Sequence, residues 1–152
     1  MQELQTHCQE PKDTAMYTPP SLRAAAAYNT VGAQSGVAGA DAHQLINMVF
    51  DGLLQAVNAA RGALSRGDVA GKGMQIQRAV RLLEEGLKGG LDDARGGDLA
   101  AKLRALYDYC IGRLTHANLR NDADALAEVV ALISPVADGW KQMGRLRNAQ
   151  PA

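Results

Sequence analysis

Between Asp41 and about Leu146 the apolar residues recur every three or four positions, in four separate runs. That period places them on one face of a helix. The first run is Ile46, Val49, Leu53, Val57, Ala60 and Leu64. Asp41 and Gln44 stand ahead of it at capping-box spacing, which predicts a helix start at Asp41. Arg66-Gly67-Asp68 closes it. The second run is Ile76, Val80, Leu83, Leu87 and Leu91. Gly71 and Gly73 weaken its start and Gly86, Gly89 and Gly90 its last turns, since a helical glycine costs about 1 kcal/mol relative to alanine. The third run, between Gly97 and Asn121, aligns Leu99, Leu103, Leu106, Cys110, Leu114 and Ala117, with Gly96-Gly97 supplying the reversal before it. The fourth is capped by Asn121 or Asp122 and turns Leu126, Val129, Ile133, Val136, Trp140 and Met143 inward. Pro135 falls inside it, where it removes one backbone bond and crowds the Ala131 carbonyl, so a bend is expected there.

Four amphipathic stripes joined by short links must cover one another. The expected fold is all-α: an antiparallel up-down-up-down four-helix bundle, with an N-terminal arm that contains a short helix. Residues 1–15 are polar and aperiodic and read as a disordered extension, with Met16 as a second potential start. Residues 16–40 form the arm: Pro19-Pro20 stiffen it, and Ser21 can cap a short helix through the alanines toward Tyr28. Gly32, Gly36 and Gly39 interrupt the rest of the arm. Residues 41–146 make the bundle, and 147–152 read as a frayed end.

Composition narrows the function. Apolar residues make up 47% of the chain and aromatics only 4%, so alanine and leucine carry the core, as in close-packed helices. Sixteen basic residues balance sixteen acidic ones. No basic stripe recommends nucleic acid as a partner, and no run suits membrane insertion. With no apolar signal region at the N-terminus, a cytoplasmic location is expected. Cys8 lies in the polar extension and Cys110 on a packed face, so a disulfide between them is not expected and a reducing compartment fits.

Catalytic sets are missing from the pattern. His7, His43 and His116 are scattered and have no metal-ligand spacing to either cysteine. His43 reads as a first-turn residue and His116 as a helix C-terminal one. Gly96-Gly97 is followed by Asp98 and lacks any phosphate-loop pattern, which favours a turn. Glu84-Glu85 and Asp92-Asp93 are adjacent pairs that diverge on a helix and suit a solvated face better than shared acid–base work. The sequence therefore reads as a non-enzyme that needs no cofactor. Tyr107 is expected at a helix seam, with Asp108 bonded to a neighbouring helix or backbone. Tyr28, a lone aromatic on an alanine-rich arm, looks like a docking residue.

Several separated motifs carry a resemblance. They are Met16-Tyr17, Ala27-Tyr28, His43-Gln44-Leu45-Ile46 with Phe50-Asp51-Gly52, Gly67-Asp68, Gly96-Gly97-Asp98-Leu99-Ala100, Leu106-Tyr107-Asp108-Tyr109, Ala117-Asn118 and Trp140. In order and spacing they resemble the flagellin export chaperone family, FliS, from about Met16 to Met143. The resemblance implies a cytoplasmic helical bundle that binds the disordered C-terminal region of flagellin, prevents premature polymerisation and assists export. It extends the set of partners to the flagellar export apparatus and an anti-sigma factor. By the same likeness Leu22 and Tyr28 of the arm match the family's flagellin-contacting segment.

A client needs apolar surface beyond one core. Leu54, Val130, Leu132 and Leu146 lie off the main stripes and are the candidates in the bundle. The rival reading is a structural helical scaffold or dimerisation module without a dedicated client, which would bury that surface against a second copy. A homodimer in the absence of client belongs to the same alternative.

Overall fold

The computed structural model describes residues 38–149. Within them lie four long helices and no strand: α1 (Ala38–Ser65), α2 (Val69–Arg81), α3 (Asp93–Arg120) and α4 (Ala123–Ala149). A π-helical turn, Leu82–Leu87, and a 3-10 turn, Lys88–Gly90, prolong α2. Connections of two or three residues force sequential helices to run antiparallel. α1 packs on α2 and α4, and α3 on the same two, so the four stand at the corners of a square. The architecture is the all-α bundle expected from the periodicity.

Local chemistry explains each corner. After α1 the chain turns at Gly67, whose φ of +75° suits glycine. Asp68 then caps α2 by accepting from the Gly71 N–H at 2.9 Å. A β-carbon at position 71 would stand 2.2 Å from the Asp68 carboxylate, so the glycine that weakens the helix makes room for its cap. Asp92 caps α3 by accepting from the Ala94 and Arg95 N–H groups. Asn121 ends α3 in the left-handed region, and Asp122 accepts from the Asp124 and Ala125 N–H groups to open α4.

The core follows the stripes. Leu53, Val57, Ala60, Ile76, Leu83, Cys110, Leu114, Leu126, Val129 and Ile133 are buried. Alanines at 56, 63, 79, 117, 125 and 137 let the helices approach closely, which accounts for the alanine-rich composition. Burial pushes the Cys110 thiol up to about 11, so it behaves as a small hydrophobe. Across α3 and α4, Glu128 accepts from Tyr109 Oη at 2.6 Å and from Arg113 Nε at 2.7 Å. Lys88 Nζ reaches Asp108 Oδ1 at 2.6 Å, tying the end of the second helical segment to α3. Asp108 thus bonds a neighbouring element and Tyr107 is buried, as the sequence pattern leads one to expect.

Three details differ from the sequence pattern. The α1 backbone is helical from Ala38, so Asp41 lies inside the helix rather than at its cap. The reversal before α3 falls at 91–92, where Leu91 is extended, and Gly97 instead marks a kink, with φ 52° and ψ −127°, inside the helix. Finally, Leu99 and Met143, expected in the core, are 64% and 54% exposed, because the bundle opens around them at one end.

Candidate functional site

At one end of the bundle the start of α1, the turns after α2, the start of α3 and the end of α4 come together. There the square opens. The winding after Arg81 changes from α to π to 3-10, and α3 is broken at Gly97, so neither helix extends straight to cover its neighbours. The inward faces continue past the packed core and line a groove of about 680 Å³. Leu99 and Met143 occupy its lining, which is why residues on the correct helical face are left exposed.

Each wall carries residues of a stripe read in the sequence, joined by His43, Phe50 and Tyr107, which lie off those stripes. α1 contributes His43, Ile46 and Phe50. Leu87 and Leu91 come from the turns after α2, and Leu103 and Tyr107 from α3. α4 supplies Val136, Trp140 and Met143, with Arg147 at the end as a charged member of the lining. Tyr107 is 3% exposed, and burial pushes its phenol up to about 12, so it stays neutral. A volume of this size is in the range of preformed ligand sites, and its apolar lining suits side chains of a helix seated in a furrow.

His43 is more than a first-turn residue. It is 8% exposed, and its ring stacks on Trp140 with centroids 4.5 Å apart. Burial, and next the Arg147 charge, hold its pKa below the usual value, while the Trp140 backbone acts the other way. Among the described residues no group of three or more His, Cys, Asp or Glu is placed to hold a metal ion. None of the described helices is long and apolar enough to cross a membrane.

The sequence-derived candidates fall elsewhere. Leu22 and Tyr28 lie outside the described residues. Leu54, Val130 and Leu132 are half-buried and packed against the core, and none of them lines the groove. Leu146 is 62% exposed on α4, one residue before Arg147, and also stands off the lining. The groove is built from the core stripes themselves, at an end where they are not covered. The signal for it in the sequence is the crowd of glycines, at 86, 89, 90, 96 and 97, beside those stripes.

Fold and groove define a class of protein: a four-helix bundle with a preformed apolar groove at one end. The family model for "Flagellar protein FliS" matches residues 24–147. The flagellar secretion chaperone FliS of Salmonella typhimurium is 47% identical over 128 residues, covering 84% of this chain and 93% of the relative. The Escherichia coli protein of the same name is 40% identical over 76% of this chain and 85% of its own. The Bacillus subtilis one is 33% identical over 72% and 80%. The chain belongs to the FliS family of flagellar secretion chaperones.

Proposed function

We propose that this protein binds the disordered C-terminal region of flagellin in the cytoplasm, orders it as helix in the apolar groove, and so prevents premature polymerisation and assists export. The observation that carries the reading is the groove: core-type side chains, Leu99, Leu103, Val136, Trp140 and Met143 among them, stand open at one bundle end in a chain of this family. A partner helix with apolar residues at three- and four-residue spacing is the natural complement of such a furrow. Ordering a disordered tail costs about 2–5 kcal/mol, so the complex must bury extensive apolar surface. The protein contributes this by binding alone, and no catalytic step is required. The lining holds little charge, so affinity should vary weakly with salt.

In this reading the N-terminal arm, with Leu22 and Tyr28, acts on the same client as the groove, shielding the groove or clamping what it holds. Leu54, Val130, Leu132 and Leu146 would serve a long client that continues along the outside of the bundle. Delivery to the export apparatus would follow from the loaded complex.

The test is calorimetry and circular dichroism with a flagellin C-terminal fragment. The expected result is binding with a negative heat-capacity change and a gain of helix. Absence of binding at tens of micromolar, or binding without helix gain, sinks the mechanism.

A further inference from the structure

Trp140 is the single tryptophan of the chain, and it stands half-buried in the groove wall. Its Nε1 donates to the backbone carbonyl of His43 at 3.0 Å. Its ring lies on the His43 imidazole, with planes 8° from parallel. The imidazole is held from behind as well. Gly144, one turn beyond Trp140, is buried, and a β-carbon there would stand 2.2 Å from His43 Nε2. The imidazole is therefore clamped between an indole face and a glycine backbone. Its Nε2 is buried with no hydrogen-bond partner among the described residues. An unpaired interior nitrogen costs stability, so this position is not optimised for packing alone.

We propose that His43 is a positioning residue of the groove: clamped by Gly144, it fixes the Trp140 indole as a rigid apolar wall against which the client's side chains bind. The proposal rests on the reading of the groove as the client site. Its physics is preorganisation. With Nε1 turned inward to the His43 carbonyl, the indole offers the groove its carbon surface. Held by stacking, it has no rotamer freedom left to lose when the client arrives.

The experiment uses the full chain with His43→Ala and Gly144→Ala, singly and together. Trp140 emission is read in the free protein, and affinity for the flagellin C-terminal fragment by calorimetry. His43→Ala should shift the emission to the red and weaken binding about three- to tenfold, the scale of one aromatic pair. Gly144→Ala should do the same by expelling the imidazole. In the double variant the second change should add little, because the new methyl takes up the vacated space. Circular dichroism monitors helix content; if His43→Ala does not fold, His43→Gln, which keeps length but lacks the ring, replaces it with the same readouts. Unchanged emission and affinity in the His43 variant, or fully additive effects of the two changes, overturn the proposal. A wild-type chain that fails to bind the fragment overturns the client reading and the binding half of the proposal. The emission spectra still decide the positioning half.

Discussion

Lys72 Nζ donates to the backbone carbonyl of Asn118 at 2.8 Å, joining the first turn of α2 to the last turn of α3. It also donates to Asn121 Oδ1. The side chain is 2% exposed, so this lysine supplies a donor inside the protein to the Asn118 carbonyl, while the Ala117 carbonyl before it accepts from the Asn121 and Asp122 N–H groups. Lys72→Met keeps most of the aliphatic stem but leaves the Asn118 carbonyl unpaired. Stability in urea should fall by about 1–3 kcal/mol. Client affinity should stay unchanged, because Tyr107, the nearest groove-lining residue of α3, lies roughly 16 Å away along the helix.

Leu99 and Met143 give the opposite pattern. Both line the groove and both are exposed, so neither adds much to folding. Leu99→Asp should change stability by no more than about 0.5 kcal/mol. Affinity for the flagellin fragment should drop about tenfold or more, as expected when an apolar contact is replaced by a charge that must be desolvated. Paired urea and calorimetric titrations check this. Wild-type affinity in Leu99→Asp would move the client off the groove.

Acid should weaken the fold in two stages. The folded pKa of His43 is below the ordinary 6.5, chiefly through burial. The unfolded chain therefore binds that proton more readily, so this contribution is complete above 6.5 and is lost as the pH falls below it. Glu128 is held below its usual 4.5 by the bonds from Tyr109 and then Arg113, and Asp122 below 3.8, first through the Ala125 N–H. Their contributions are present above those ordinary values and are lost as the pH falls through the lowered ones. Urea midpoints at about pH 7.5, 5.5 and 3 should decline at each step, and His43→Gln should flatten the first.

Pro135 lies exposed inside a helix that continues on both sides of it. Pro135→Ala restores the missing N–H opposite Ala131. It should raise the melting temperature, by an amount below the roughly 3 kcal/mol that proline costs in an ideal helix. A lower melting temperature would mean that the packing of α4 depends on proline at this position.

The stripes made the bundle legible. Leu53, Leu83, Leu114 and Leu126 are buried where a 3.6-residue period puts them. The groove was hidden by the same logic, because a period tells which way Leu99 and Met143 face but not whether another helix lies opposite. Apolar residues off the stripes, Leu54, Val130 and Leu132, widen the core packing and do not line the furrow. Lys72 was invisible for a related reason: its partners are backbone and an asparagine more than forty residues away, at separations of 46 and 49. His43 looks ordinary in the sequence because Trp140, which covers it, stands 97 residues later.

The π-helical turn Leu82–Leu87 also bears on how long the chain must be. The segment is wound as π-helix, with the Lys88 N–H shared between the Glu84 carbonyl and the Leu83 carbonyl five residues back, so the turn holds one residue more than α winding needs. Deleting one residue elsewhere in the second helix would rotate everything downstream by about 100° and carry Leu87 and Leu91 off the groove. Deleting Glu84 or Glu85 would instead let the turn relax to α winding with both flanking registers kept. Gly86 must stay, since a β-carbon there would lie 2.7 Å from Val49 Cγ1. Along this wall of the groove, the π turn is where the chain can lose a residue and still face its leucines the same way.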